Sequence, residues 1–144
     1  RLHKSIDVTH EYIKHENKKN ETYAIELKGI SKCIGTISLR KTYNDKDIDI
    51  RILSMVINPK YWGNGYGPEA LKEVVRYAFE IEDVHKVIGG YYSFNSQSAS
   101  VTKKLGFIYE GSLRDEYRYK NQYVDSIINS LLREDYIKLS KEWF

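Results

Sequence analysis

The chain is poor in the residues that staple or interrupt a fold. It holds one cysteine and two prolines in 144 residues. Cys33 has no partner within the chain, so no disulfide framework is available, and no Cys/His cluster shows zinc spacing. No metal site is therefore expected, and a lone thiol suits a reducing, cytoplasmic setting. No apolar run approaches the ~20 residues that cross a bilayer, and nothing resembles a signal peptide, so a membrane partner is not expected. Repeats, low-complexity tracts and linkers rich in Pro, Gly or Ser are absent as well. The chain therefore reads as a single domain over residues 1–144. It begins with Arg1 rather than Met, which suggests a trimmed N-terminus.

What is present describes an ordinary globular protein: 41% hydrophobic and 30% charged residues, with thirteen Tyr and two Trp. That length buries a real core without staples. The net charge of +3 suits an anionic cofactor or a nucleic acid. The basic residues are scattered among acids rather than gathered in a stripe, which argues against a nucleic-acid partner.

Thr9 can cap a short polar helix to Lys18. Thr22–Leu27 and Cys33–Leu39 have strand composition, with a hairpin turn at Lys28-Gly29-Ile30-Ser31. Asn44–Asp47 is a polar loop, and Ile48–Ile52 alternates as a half-buried strand. Beyond it the alternation breaks at Leu53, Met55, Val56 and Ile57, which predicts a bulge near Leu53 and Ser54. Asn58-Pro59 ends the strand. Pro68 fits the first position of a helix whose apolar face is Leu71, Val74, Val75, Ala78 and Ile81. Lys86–Tyr92 is a strand. Ser96–Leu105 is a short helix closed by Gly106. Phe107–Tyr117 and Tyr123–Leu132 are strands joined by Lys120-Asn121-Gln122, and Glu134–Phe144 is a terminal helix. Hairpin-linked strands with helices only in the middle and at the ends predict an α/β (α+β) fold with a mixed sheet and helices on its faces.

The chemistry concentrates at Tyr61-Trp62-Gly63-Asn64-Gly65-Tyr66-Gly67, a glycine-dense turn between a strand and an amphipathic helix. Such a turn can direct backbone N–H groups at an anion, and the helix N-terminus adds partial positive charge. The P-loop pattern is absent, since no Lys-Ser or Lys-Thr follows the glycines. Gly65-Tyr66-Gly67-Pro68-Glu69-Ala70 satisfies G-x-G-x-x-A, the dinucleotide fingerprint, but the next strand ends Tyr91-Tyr92-Ser93 instead of on an acid.

The stretch Tyr61 to Ala70 resembles the acetyl-CoA pyrophosphate loop of the GNAT superfamily of N-acetyltransferases. The branch it is most similar to contains the ribosomal-protein alanine and spermidine N-acetyltransferases. Asn95-Ser96-Gln97-Ser98 through Lys104-Leu105-Gly106-Phe107 is similar to the family segment that flanks the pantetheine arm, and Glu110-Gly111, Tyr123-Val124-Asp125 and Leu131-Leu132 also fit. The resemblance implies a mostly antiparallel GNAT-like sheet, with the usual first strand and helix missing before Thr9. It implies acetyl-CoA as the cofactor and a primary amine as the partner: a protein N-terminus, a polyamine or a small molecule. A homodimer and a non-catalytic CoA-binding domain are further family-derived readings.

Residue by residue, the resemblance places the pyrophosphate on the backbones of Gly63, Asn64, Gly65, Tyr66 and Gly67. It places the pantetheine beside Met55, Val56 and Ile57, with Asn95 on the cofactor arm and Ser98 near the adenosine phosphate side. The Val56 N–H is the expected oxyanion donor. Thr102 occupies the position of the family's acid, where a threonine hydroxyl is too weak, so Tyr91, Tyr92 and Tyr109 are alternatives. Glu110, Asp115 and Glu116 are candidate bases. The region Glu110–Glu116 and the loop Tyr43–Asp49 are expected to flank the acceptor. Cys33 and His85 read as packing or turn residues, and His10 and His15 as solvated.

Overall fold

The computed structural model describes residues 6–9, 21–42 and 47–144. Among these residues seven strands form one sheet: β1 (Ile6–Thr9), β2 (Thr22–Leu27), β3 (Lys32–Lys41), β4 (Ile50–Ile57), β5 (Lys86–Tyr92), β6 (Ile108–Tyr119) and β7 (Gln122–Leu132). Their order across the sheet is β1-β2-β3-β4-β5-β7-β6, antiparallel everywhere except at β4–β5. The helices are α1 (Tyr66–Glu80), α2 (Ser96–Lys104) and α3 (Arg133–Trp143). A four-residue strand therefore lies at the edge where none was expected before Thr9. The helix predicted from Thr9 to Lys18 falls, beyond Thr9, outside the described residues, as do Tyr43–Lys46 of the acceptor-side loop.

The core forms because one face of the sheet and one stripe of α1 are both apolar. Ile25, Ile37, Leu39, Leu53, Val87 and Leu131 meet Ala70, Leu71, Val74, Val75, Ala78 and Phe79. The contact removes water from both surfaces, which is the main stabilising contribution. Ile81, predicted on that stripe, is 61% exposed instead, because the helix stops at Glu80 and Ile81 serves as its C-cap. Arg133 seals this end by donating to the carbonyls of Phe79 (3.0 Å) and Val84 (2.9 Å), a cation placed against the negative end of α1. Phe79 stacks on Tyr136 of α3, with ring centroids 5.1 Å apart.

The bulge predicted in β4 is not there. Its register with β3 runs unbroken from Ile57 opposite Gly35 to Arg51 opposite Lys41. The burial of β4 also keeps its alternation: Arg51 and Leu53 are buried, while Ser54 and Val56 are exposed. The sequence reading lost phase because the strand buries a charged residue and exposes an apolar one. The bulge lies one strand away, in β3, where Ile34 is the extra residue between Cys33 opposite Glu26 and Gly35 opposite Ile25.

Two other boundaries move. α1 starts at Tyr66, with Gly65 as a left-handed N-cap, so Pro68 is its third residue instead of its first. That is tolerated because the first-turn N–H groups have no intrahelical acceptor. Gln122 belongs to β7, leaving a two-residue hairpin turn at Lys120 and Asn121, both with positive φ.

Candidate functional site

The parallel contact between β4 and β5 generates the site. β4 and β5 pair only from Ile50 opposite Lys86 to Leu53 opposite Gly89. Past that point the strands part. The β3 ladder tells which backbone groups face the opening. Thr42 N–H donates to Ile50 O and Asn58 N–H to Ile34 O, so the even-numbered residues of β4 turn their backbone groups toward β3. The odd-numbered ones face β5. Met55 and Ile57 thus present N–H groups at an edge where the ladder has stopped. On the other side of the opening, Ser93 N–H, just past β5, donates to Asp125 O on β7, so odd residues of β5 face β7 and Gly90 turns its carbonyl into the gap. The Val56 N–H, expected to point at a reacting carbonyl, points at Thr36 of β3. That expectation is corrected by the unbroken register: without a bulge, Val56 cannot turn inward.

The opening widens into a cavity of about 290 Å³. Leu53 to Ile57 form one wall. The loop and first turn of α1 form a second, through Gly63, Gly65, Tyr66 and Gly67. Gly89, Gly90 and Tyr91 of β5 and Asn95, Ser98 and Thr102 of α2 complete it. Of the sequence-predicted cofactor residues, Met55, Val56, Ile57, Gly63, Gly65, Tyr66, Gly67, Asn95 and Ser98 all border this space. Asn64 does not. Its side-chain nitrogen donates to the carbonyls of Tyr61 and Trp62, both at 3.2 Å, and so braces the loop from behind.

The loop is built for exposed backbone. Gly63 and Gly65 have φ of +78° and +79°, and a Cβ at either would meet nothing within 4 Å, so glycine serves the backbone angle there. Gly67 is different: a Cβ would lie 3.1 Å from Cε of Met55, so its smallness lets α1 sit close on β4. Trp62 fastens the loop to the strand by donating from Nε1 to Ile57 O at 2.8 Å. With Pro68 lacking an N–H, the first turn of α1 offers Tyr66 and Gly67 as donors at the positive helix end.

α2 is capped by Asn95, whose side-chain oxygen accepts from Ser98 N–H at 3.0 Å. The cap uses only that oxygen. Thr102 borders the cavity, but its hydroxyl donates within its own helix, to Ser98 O at 2.9 Å with Ala99 O at 3.1 Å. Its one proton is therefore committed.

Among the described residues, no Asp, Glu, His, Lys, Arg or Cys borders the cavity. The candidate bases lie elsewhere. Glu110 pairs with Lys86 at 2.9 Å, and Asp115 and Glu116 sit exposed in a bulge of β6, where Asp115 N–H donates to Asp125 Oδ1. Tyr109 is 64% exposed and contacts Ser112 at 3.0 Å. Tyr92 joins Phe94, Tyr117 and Tyr119 in a ring cluster on the surface. Of the three tyrosines singled out in the sequence, only Tyr91 borders the cavity.

A buried polar network, missed in the sequence, lies toward the opposite end of β4 and α1. Arg51, 5% exposed, donates to both oxygens of Asp49 at 2.5 and 2.8 Å and lies 3.6 Å from Glu82. That hydrogen-bonded guanidinium holds the Asp49 carboxyl below the usual carboxylate range. Tyr77 donates to Glu82 at 2.5 Å, and burial raises the Tyr77 phenol. A charged residue within an alternating strand was the available signal.

Comparison with known proteins gives a coherent answer. The acetyltransferase (GNAT) domain family matches residues 2–108. The FsC-acetyl coenzyme A-N(2)-transacetylase of Aspergillus fumigatus is 30% identical over 87 residues, 59% of this chain and 37% of that protein. The ribosomal protein uS5-alanine N-acetyltransferase of Escherichia coli is 29% identical over 84 residues, 58% of this chain and 43% of that protein. The matched segment thus spans less than half of either relative. Among solved structures, mutant forms of the spermidine/spermine N-acetyltransferase SpeG from Vibrio cholerae superpose with a TM-score of 0.76 at 23% identity, over 90% of this chain and 76% of that one. At that identity the likeness concerns the fold.

Proposed function

The chain belongs to the GNAT acetyltransferase family, and from that premise we propose that it moves an acetyl group from acetyl-CoA directly onto a primary amine within a ternary complex. The observation that carries the proposal is the interrupted β4–β5 ladder. It leaves backbone donors and an acceptor along the track that an extended, amide-bearing arm would follow. The Gly63–Gly67 backbone and the N-terminus of α1 hold the pyrophosphate by N–H groups and helix charge, with no basic side chain in the cavity wall among the described residues. Ser98 and Asn95 border the same arm from α2. Met55 or Ile57 supplies the N–H that polarises the thioester carbonyl, replacing the sequence-based choice of Val56. A backbone donor of this kind needs no reorganisation as charge develops on oxygen.

The amine approaches from the other face of the sheet. The side chains of Met55 and Ile57 point at α1, within reach of Gly67, whereas Ser54 and the 69% exposed Val56 project the opposite way. Among the described residues no carboxylate or imidazole borders the cavity, and water carries the amine proton away. The acceptor is a protein N-terminus, a polyamine or a small amine, and the protein works as a cytoplasmic enzyme that can form a homodimer. Calorimetric titration with acetyl-CoA, with NAD as control, tests the cofactor. Saturable binding of acetyl-CoA alone, followed by release of CoA with an amine from a panel of these three classes, is the expected result. Binding of NAD alone would return the loop to the dinucleotide reading, and binding of neither would remove the enzyme assignment.

A further inference from the structure

The face of the split from which the amine approaches is open at its centre and aromatic at its far end. The first residues past the last ladder pair, Leu53 opposite Gly89, are Ser54 on β4 and Gly90 on β5. Both are small and exposed, so the passage leaves room for the carbon that carries the amine. A Cβ at Gly90 would lie 3.5 Å from Cδ1 of Ile128 and 3.8 Å from Oγ of Ser126, which puts Gly90 on the sheet face of the even-numbered β7 residues. Tyr92 is the next β5 residue on that face, about 7 Å further along the strand, opposite Ser126. Tyr117 and Tyr119 reach the same face from β6, opposite Val124 and Gln122.

The Tyr92 ring centroid lies 5.5 Å from that of Phe94, 5.2 Å from Tyr117 and 5.8 Å from Tyr119, and Phe94 lies 4.9 Å from Tyr119. The rings meet at 34° to 60°, so they leave faces and edges turned outward, and Phe94, Tyr117 and Tyr119 are 52%, 47% and 39% exposed. A further ring can join such a cluster in the tilted or edge-to-face geometry that aromatic quadrupoles favour. Charge separates the acceptor classes. Lys120 Nζ already lies 5.4 Å from the Tyr119 centroid, so the cluster carries a fixed ammonium that repels a polycation and leaves a neutral ring unaffected. A peptide would bring backbone amides onto rings that can pair them only through phenol hydroxyls. We propose that the acceptor is a small primary amine borne two or three carbons from an aromatic ring, with the ring on the Tyr92, Phe94, Tyr117 and Tyr119 cluster and the nitrogen between Ser54 and Gly90. The inference rests on the acetyl-CoA reading above. The amine nitrogen bonds to the acetyl carbonyl carbon, the C–S electron pair passes to sulfur, and the proton shed by nitrogen reaches sulfur through water, giving amide and CoA thiol.

The test compares four acceptors by the release of CoA thiol from acetyl-CoA: phenethylamine, cyclohexylethylamine, spermidine and a short peptide with a free N-terminal alanine. Phenethylamine and cyclohexylethylamine have the same reach and differ in the ring. In the wild type kcat/KM for phenethylamine should exceed that for cyclohexylethylamine by about fivefold, the scale of an aromatic pairing beyond simple burial, and should exceed the other two by about tenfold or more. In Phe94→Leu/Tyr117→Leu the preference for the aromatic ring should vanish through a higher KM for phenethylamine, with kcat kept and acetyl-CoA affinity by calorimetry unchanged. If that double variant binds acetyl-CoA less well than the wild type, Tyr119→Leu alone carries the same comparison. Equal use of the two ring amines, preference for spermidine or the peptide, an unchanged KM in the variants, or no turnover of phenethylamine by protein that binds acetyl-CoA would each overturn the proposal and leave the cofactor reading standing. Failure of the wild type to bind acetyl-CoA would remove both.

Discussion

The turn between β4 and α1 and the turn between β6 and β7 both demand left-handed backbone, and they meet it with opposite residues. The first uses Gly63 and Gly65 at φ +78° and +79°. The second uses Lys120 and Asn121 at +47° and +63°, and the neighbouring β6 bulge uses Asp115 at +49°. Side chains at these angles cost about 1–2 kcal/mol each. The hairpin carries that cost in solvent, with Lys120 and Asn121 both exposed. The loop has open space at both glycines and still avoids side chains. Glycine in the loop leaves the backbone open to an approaching group, as the proposed pyrophosphate site requires, whereas the hairpin needs only to reverse the chain.

Putting a side chain into the loop breaks the comparison most severely. Gly65→Val forces a β-branched residue to φ +79° at the N-cap of α1. About 2 kcal/mol of strain is expected, which the loop relieves by turning its N–H groups away, so acetyl-CoA affinity falls by roughly 30-fold or more. Calorimetric titration reads the affinity, and a thermal scan should show the core intact. Unchanged binding would mean that the glycines only turn the chain, as Lys120 and Asn121 do.

The converse effect, stability without binding, belongs to the buried network. Arg51→Met removes two charge-assisted hydrogen bonds to Asp49 and should cost about 2 kcal/mol in denaturant unfolding, with acetyl-CoA affinity unchanged. The pH dependence follows. Because the Asp49 carboxyl is held below its ordinary value in the folded protein, its contribution is present above about pH 4 and is lost as pH falls through the folded value. The wild type should therefore lose more stability on acidification below about pH 4 than Arg51→Met does.

Gly106 sharpens the comparison with a third turn. Its φ is +86°, and a Cβ would lie 2.6 Å from Cδ2 of Leu139 on α3. Angle and space both require glycine here, and the space is filled by the protein's own side chain. Gly106→Ala should cost about 1–2 kcal/mol of stability, measured by chemical denaturation, as α3 shifts to make room.

These differences also mark what was legible in the sequence. β2 and β5 were placed residue for residue, because uninterrupted β-forming runs ended by turn residues leave little choice. The C-terminal end of α2 followed from Gly106, and the loop from its glycines, whereas the Asn95 cap appears only in the structure. The side of β4 on which Val56 donates was not legible, because β3 pairing fixes it from across the sheet. Nor was the continuity of β4, whose buried Arg51 is repaid by Asp49 and Glu82 at positions no periodicity reveals. The same limit applied to Thr102. Its residue type was plain, but the loss of its proton to Ser98 O appears only once the helix exists.

The smallest effect lies in the hairpin and tests the comparison from the other direction. A two-residue turn with positive φ at both positions is the arrangement that favours Asn-Gly, and here it reads Lys120-Asn121. If the hairpin serves only to reverse the chain, relieving its strain should help the fold and leave binding alone. The pair Lys120→Asn and Asn121→Gly should therefore raise stability by about 0.5–1 kcal/mol, part of the left-handed penalty, with the gain reduced by the extra freedom glycine has when unfolded. Lys120 also sits over the Tyr119 ring at 5.4 Å, a contact the substitution gives up, which limits the gain further. Denaturant midpoints measure the stability, and titration with acetyl-CoA should give the wild-type affinity. A loss of stability would show that the Lys120 contact outweighs the backbone strain. A loss of cofactor affinity would show that the hairpin bears on the site after all, and that its side chains, unlike those excluded from the loop, are there for a ligand.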